Sequence, residues 1–479
     1  MTIHYPFKTE PYAHQLEALE RSWQSREYAL FMEMGTGKSK VLIDNVAMLY
    51  DNGEIDALLL IAPKGVYRNW SDKEIVDHMP DHISTRMAVW STNLTKKKKA
   101  EINHLFEPNS DLCILVINVD ALITPKGKKV LETFLNTRIA LFCIDESTII
   151  KNPKAKRTKA AVKLAKRAKY RRILTGSPVT KSPLDVYSQC EFLNDNLLGY
   201  SSYYGFRNRY AVTEDMHMAG RRIKQVVGYK NVDELQAILK DFSYRVTKAE
   251  CLDLPEKVYM RREFDMTKEQ KKAYLEMKDL AISFFEEGAA SVTAVITQLL
   301  RLHQISCGHL PLDDGTLIEF PNRRIQHLEE VLEESDGKTI IWANYRNDIK
   351  HVKEFLVRTY GAHCFVTYYG DTSVEERKEA IEKFQNPESP VRFFVGNTQT
   401  GGYGITLTEA SNVVYYSNNY DLEKRLQSED RAHRIGQTKT VVYTDLVCRD
   451  TIDDKIIKAL RNKISIANAI TGDDWRAWI

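Results

Sequence analysis

The run Ala57-Leu58-Leu59-Leu60-Ile61-Ala62 contains no polar residue and is stopped by Pro63. A strand with one face in water alternates polar and apolar positions. An unbroken apolar run this short therefore calls for a strand covered on both faces, as in a parallel sheet flanked by crossover helices. Related runs occur at 28–32, 112–117, 139–144 and 172–174, and a second series follows at 339–342, 363–368, 391–395, 413–416 and 441–446. Between the two series, residues 267–302 change character: Glu269, Lys271, Lys272 and Glu276 mix with Tyr274, Leu275, Leu280 and Phe284 at helical spacing. The expectation is an α/β chain of two tandem parallel-sheet lobes, 1–245 and 246–479, the second including a helical protrusion at about 265–305. A length of 479 residues agrees, because single cores stop growing at roughly 250–300 residues.

A hydrophobic content of 43% and a charged content of 28% are those of an ordinary globular protein, and the net charge of +3 is small for this length. No run of about 18 apolar residues is present to cross a membrane, and the polar start Met1-Thr2-Ile3-His4-Tyr5 does not resemble a signal peptide. A cytoplasmic protein that engages no membrane is expected. Its seven cysteines are scattered without a C-x-x-C pair, so reduced thiols packed in strands are expected. Cys307-Gly308-His309 lacks two further ligands at suitable spacing for zinc.

Three short segments carry chemistry. Gly35-Thr36-Gly37-Lys38-Ser39 follows the 28–32 strand and opens a helical pattern over 40–50. Its glycines let the backbone curl around phosphate oxygens at the positive end of a helix. In such a loop Lys38 meets the β and γ phosphates and Ser39 ligates Mg²⁺. Met32 stands where the full G-x-x-x-x-G-K-[ST] motif has its first glycine, so the strand before and the helix after carry much of the reading. Asp145-Glu146 emerges from the end of the 139–144 run; Asp145 can hold the Mg²⁺ through water and Glu146 can polarise the attacking water. Near the end, Gln427, Arg431 and Arg434 fall in a polar segment read as a helix closed by Gly436, with the two arginines three apart on one face. Guanidinium groups there can neutralise charge developing on a γ phosphate.

Charge is also unevenly spread. From 147 to 183 there are twelve Lys or Arg and no Asp or Glu. Lys156, Lys159, Lys163 and Lys166 recur at helical spacing, opposite a stripe expected at Ala160, Leu164 and Ala168. Like charges so placed repel unless an anion lies over them, and a phosphate backbone is the natural candidate. The runs 96–99 and 126–129 read equally as flexible loop tips.

Taken in order, these segments resemble the SNF2-like branch of superfamily 2 helicases and translocases. The resemblance runs through Tyr12-x-His14-Gln15, the loop Glu33 to Ser39, Ile61-Ala62-Pro63-Lys64, Ile117-Asn118-Val119-Asp120, Asp145-Glu146-Ser147-Thr148-Ile149-Ile150-Lys151-Asn152 and Leu174-Thr175-Gly176-Ser177-Pro178. It continues through Arg245-Val246-Thr247-Lys248, Leu300-Arg301-x-x-Gln304, Tyr369-Gly370, Thr400-Gly401-Gly402-x-Gly404-Ile405-x-Leu407, Asn418-Asn419-Tyr420 and the segment of Arg431. It spans essentially the whole chain. Ser177 and Tyr420 stand where Thr and Trp are commoner in the family.

The resemblance implies two RecA-like lobes with a helical insertion between motifs III and IV, ATP and Mg²⁺ as cofactors, and a DNA-dependent ATPase. ATP would be bound by Tyr12, His14, Gln15, Gly35, Thr36, Gly37, Lys38, Ser39 and Gly404, with Lys38, Asp145, Glu146, Gln427, Arg431 and Arg434 catalytic and Ser39 and Asp145 at the metal. Double-stranded DNA would meet Lys64, Asn118, Asn344, Thr400 and Gly401, joined by Lys156, Lys159 and Lys163 of the basic segment. The expected activity is sequence-nonspecific translocation on duplex DNA by a monomer, coupled to lobe closure, with DNA-bound proteins as further partners. Two alternatives stand beside it: a strand-separating or branch-migrating helicase, although no hairpin signature within 180–330 announces a wedge, and an ATP-gated DNA clamp or displacement factor. The aromatics Tyr200, Tyr203, Tyr204, Phe206 and Tyr210 are expected in a core rather than on a partner surface.

Overall fold

Strands form where the apolar runs lie. The computed structural model describes residues 3–64, 66–91, 94–218, 221–286, 292–401 and 405–471. In chain order the first nine strands are β1 (Glu27–Met32), β2 (Ala57–Ala62), β3 (Thr85–Val89), β4 (Leu112–Asn118), β5 (Ala140–Asp145), β6 (Tyr170–Leu174), β7 (Ala211–Met218), β8 (Arg221–Tyr229) and β9 (Ser243–Val246). Seven of them make one parallel sheet in the order β3-β4-β2-β5-β6-β1-β9. Every residue of β2 is buried. Its successive side chains enter opposite faces: Leu59 and Ile61 join one core with Phe142 and Ile144, while Leu58 and Leu60 join another with Leu141 and Cys143. That two-sided burial is what the unbroken run demanded.

The second series comprises β10 (Lys257–Phe264), β11 (His309–Pro311), β12 (Leu317–Glu319), β13 (Lys338–Trp342), β14 (Phe365–Tyr368), β15 (Phe393–Gly396), β16 (Ala410–Tyr415) and β17 (Val441–Cys448). Six of these pair in parallel in the order β10-β17-β16-β13-β15-β14. The chain divides into two compact units, one centred on Met1–Glu214 and Lys224–Asp253, the other on Leu254–Asn462. Each is a RecA-like α/β lobe. Within the second unit, between β10 and β11, come the helices Lys268–Glu286 and Val292–Ser306; Tyr274, Leu302, Ile305 and Leu310 form a small core there.

Several local expectations give way. The edge strands β3 and β9 were not marked by apolar runs: β3 has mostly exposed or half-buried positions, and β9 has only four residues, one of them Arg245. The 96–99 and 126–129 runs are helical, at the starts of Lys96–His104 and Pro125–Thr137, with Thr95 and Thr124 as side-chain caps. Two two-stranded sheets, β7/β8 and β11/β12, lie inside the region read as lacking a hairpin. Among the insertion aromatics, Phe206 and Tyr210 are fully buried and Tyr204 is exposed; Tyr200 packs on both buried rings with centroids 5.8 Å away.

Candidate functional site

In the first lobe, β1 runs directly into the glycine loop, and helix Lys38–Asp51 begins at Lys38. Gly35 and Gly37 have φ of 81° and 88°, a region in which a side chain is strained. Gly37 is needed for space as well: a Cβ there would sit 2.1 Å from Nε2 of Gln15. That amide donates to Thr36 O at 3.0 Å, and His14 Nε2 donates to the same carbonyl at 2.8 Å. Gln15 Oε1 in turn accepts the Tyr12 N–H at 3.0 Å. The segment at 12–15 is thus the brace of the loop. Thr36 is fully buried, its hydroxyl donating to Glu33 O at 2.8 Å. Lys38 Nζ donates to Met32 O at 2.9 Å and Glu33 O at 3.3 Å, so its ammonium lies over the strand end. A cavity of about 650 Å³, lined by Tyr12, His14, Glu17, Tyr244, Arg245 and Cys251 among others, adjoins the brace; the Tyr12 and His14 rings stack at 5.9 Å.

Asp145 ends β5, two strands from β1. Its Oδ2 accepts the indole N–H of Trp70 at 2.8 Å, and its Oδ1 accepts the Glu146 N–H at 3.0 Å. Burial pushes the Asp145 carboxyl up from its ordinary value, and the Trp70 bond and the Lys38 charge offset part of that. Glu146 is left-handed, φ 51° and ψ 62°, uncommon for a residue with a side chain and characteristic of functional turns. Its Oε2 accepts the Thr175 hydroxyl at 3.3 Å. Ser39 and Asp145 offer a hydroxyl and a carboxylate, hard oxygen donors that suit Mg²⁺.

The second lobe corrects one expectation. The helix carrying Gln427 spans Leu422–Glu429 and stops short of both arginines. The Arg431 amide donates to Ser428 O at 3.4 Å, while its side-chain Nε takes Gln427 O at 2.8 Å, the carbonyl that a continuing helix would have given to the amide. Arg431 and Arg434 nevertheless come together, because Nη1 of each donates to Ile405 O, at 3.1 and 3.4 Å. Gln427 is fully buried. Arg425 anchors the helix, its guanidinium 3.5 Å from the Tyr415 ring centroid and bonded to Asp445, Glu429 and Asn418. Gly404 lies outside the described residues.

The residues expected at DNA are placed as follows. Lys64 is exposed after β2. Asn118 is buried and caps the turn Val119–Ile123, accepting the Asp120 N–H at 3.0 Å. Asn344 follows β13; its N–H donates to Ser417 Oγ at 2.7 Å, its carbonyl accepts Asn397 Nδ2 at 2.9 Å, and its Oδ1 accepts Asn419 Nδ2 at 3.4 Å. Thr400 is half-buried. Gly401 is buried against Trp342, where a Cβ would fall 2.5 Å from the ring. Lys156, Lys159 and Lys163 are exposed on helix Lys156–Ala165, whose buried side is Thr158, Ala161, Leu164 and Ala165; of the expected stripe, Leu164 and Ala168 are buried and Ala160 packs half-buried against the same core. Thr158 Oγ1 donates to Ile150 O at 3.2 Å, tying this helix to the turn after Glu146. Several members of the basic run are spoken for: Lys166 pairs with Asp195 at 2.9 Å, Lys169 with Glu54 at 2.7 Å and Arg171 with Glu27 at 2.5 Å, while Arg172 is fully buried, donating to Ser22 O and Asn45.

The SNF2-related domain matches residues 14–310, and the helicase conserved C-terminal domain matches 323–436. The chain belongs to the SNF2-related family. A candidate ATP-dependent helicase/translocase of Bacillus subtilis, YwqA, is 26% identical over 460 residues, covering 92% of this chain and 46% of the relative. The DNA annealing helicase and endonuclease ZRANB3 of Mus musculus is 24% identical over 445 residues, covering 91% of this chain and 38% of the relative. The chain thus spans less than half the length of these curated relatives. The solved SWI2/SNF2 ATPase core of Sulfolobus solfataricus in complex with dsDNA matches at 26% identity over 99% of this chain and 96% of that one, with a TM-score of 0.45. Among the described residues, no helix is long and apolar enough to cross a membrane and no group of three or more His, Cys, Asp or Glu could hold a metal.

Within this SNF2-related chain, several side chains at the site escaped sequence reasoning. Trp70 reaches Asp145 from 75 positions away. Gln189, fully buried, accepts the Ser147 hydroxyl at 2.6 Å and donates to Pro178 O at 2.8 Å, bridging the segments after β5 and β6. Arg245, part of the family resemblance but given no role by it, donates to Phe31 O at 2.8 Å and Gly176 O at 3.0 Å. Asn397, at the end of β15, completes the asparagine group around Asn344. A tryptophan shortly after Pro63 was the available signal for the first; nothing local marked Gln189 or Asn397.

Proposed function

We propose that this chain is an ATP-driven, sequence-nonspecific translocase on double-stranded DNA, acting as a monomer. The observation that carries the reading is the convergence, at the carboxyl ends of one parallel sheet, of a braced glycine loop with Lys38 and an acidic pair, with the exposed lysine helix attached directly behind that pair. Ligands bind at such strand ends in open α/β sheets, and Lys156, Lys159 and Lys163 offer charges suited to phosphates, which position without reading bases. Ser39 and Asp145 would hold Mg²⁺, which when bound neutralises charge on the β and γ phosphates. Lys38 grips the triphosphate, Glu146 orients the attacking water, and Arg431 and Arg434 stabilise the charge that develops as the lobes close. The relatives named for DNA annealing and for helicase or translocase activity are consistent with a duplex DNA substrate.

The ribbon β7/β8 favours one second reading, strand separation, because it supplies an element absent from the expectation. Triplex displacement assayed beside forked-duplex unwinding decides between them. Displacement without unwinding supports the translocase; unwinding supports the helicase; neither sinks both. In the same preparation, ATPase activity is expected to rise with duplex DNA, to vanish in Lys38→Ala and Glu146→Gln, and to fall steeply in Arg434→Ala with nucleotide affinity retained. Full turnover in the first two variants would overturn the site.

A further inference from the structure

Trp70 is 2% exposed and opens the π-helical turn Trp70–Glu74. A π turn takes an extra residue into the helical repeat, which re-aims the side chains at its start relative to the flanking α turns. The turn is fastened at both ends: Ser71 Oγ donates to Arg68 O at 2.8 Å, and Asn69 Nδ2 donates to Glu74 Oε1 at 2.9 Å. So held, the indole points its single N–H at Asp145 Oδ2, 2.8 Å away. The remaining oxygen accepts the Glu146 N–H at 3.0 Å, within the left-handed turn that brings the Glu146 carboxylate to Thr175.

We propose that Trp70 is a positioning residue for the divalent cation of the nucleotide site. Its N–H fixes the rotamer of Asp145 and, through Oδ1, the turn that sets Glu146. A neutral donor suits this task, since it orients a carboxylate without cancelling the charge a cation needs, as Lys or Arg in the same place would. A buried indole N–H needs an acceptor in any case; here the acceptor is the acidic residue of the nucleotide site itself, and the π turn accompanies that aim. The inference rests on the reading that Asp145 holds the Mg²⁺, through water.

The test is calorimetric titration of ADP into the full chain, in EDTA and across a Mg²⁺ series. The wild type is compared with Trp70→Phe and with a chain carrying benzothienylalanine at position 70, an isostere in which sulfur replaces the indole N–H. Asp145→Asn is measured in parallel. Partners that orient a metal ligand typically contribute 10–100-fold to metal affinity. The Mg²⁺ concentration for half-maximal enhancement of ADP binding is therefore expected to rise about 10-fold or more in the isostere, with metal-free ADP affinity unchanged. An unchanged Mg²⁺ midpoint in the isostere overturns the proposal, as does an equal loss of metal-free and Mg²⁺-dependent binding, which is what damaged packing produces. If Asp145→Asn leaves the Mg²⁺ requirement intact, the reading of Asp145 itself fails; if it removes the requirement while the isostere changes nothing, only the role of Trp70 fails. Should Trp70→Phe not fold, the isostere, which preserves the buried volume, carries the test alone.

Discussion

Replacing Gly37 by alanine puts a Cβ 2.1 Å from Gln15 Nε2 at a φ of 88°, and the cost can be built from its parts. A left-handed residue with a side chain costs about 1–2 kcal/mol. Gln15 cannot stay in place, so its bonds to Thr36 O and to the Tyr12 N–H are lost, each worth about 1 kcal/mol net. The sum is about 3–4 kcal/mol concentrated in the phosphate loop. The loop then relaxes away from its native curve, and restoring it on binding lowers ADP affinity roughly 100-fold or more. The clash and the strain are separable with a double-mutant cycle. Gln15→Ala removes every atom in the way, at a cost of about 2 kcal/mol for the two bonds; adding Gly37→Ala then costs only the strain. The expected coupling is about 2 kcal/mol, read by calorimetry with ADP. Gly53→Ala is the control, since its φ is 69° but nothing lies within 4 Å of its Cβ, and ADP affinity should not change. Additive losses in the cycle, or equal effects at 37 and 53, would refute the reasoning.

Further outcomes follow from the lysine helix and from the interior of the second lobe. Replacing Lys156, Lys159 and Lys163 together by alanine should weaken duplex DNA equally across sequences and reduce the slope of log K against log salt by about 2–3, at about 0.9 per phosphate contact; filter binding at several salt concentrations reads this, and nucleotide affinity should be unaffected. Arg324 is fully buried and bonded to Asp453 and to the carbonyls of Tyr416, Leu446 and Ser306. Burial alone would raise the Asp453 carboxyl, but the Arg324 charge and the His303 bond outweigh it and hold it well below the usual carboxylate range. A depressed carboxylate contributes stability that is complete above its unfolded value, near 4, and is lost as pH falls through the folded one. Asp453→Asn should therefore destabilise the lobe by about 3–5 kcal/mol at pH 7, the cost of leaving a buried charge unpaired, and by progressively less below pH 4, as denaturant melts across pH would register. A constant loss down to pH 2 would contradict the pairing.

Residue order alone determined the two α/β lobes, the position of the glycine loop and the acidic pair at a strand end. Those signals are local: an apolar run such as 57–62 states its two-sided burial in six consecutive residues, and a phosphate loop is read from adjacent positions. Weakly patterned edge strands such as β3 stayed hidden because a strand covered on fewer sides needs no apolar run. The end of the arginine-bearing helix was equally hidden, because it depends on Arg431 capturing the Gln427 carbonyl and on Ile405, 26 positions earlier, accepting from it as well. Only the tertiary structure decided that Gln15 braces Gly37, that Trp70 holds Asp145 and that Arg172 belongs to the core rather than to a phosphate-facing surface. Each of these is a hydrogen bond or a steric contact between a helix and a strand or loop that folding of the lobe brings side by side. A single N–H finding its acceptor across the fold leaves no periodic trace along the chain.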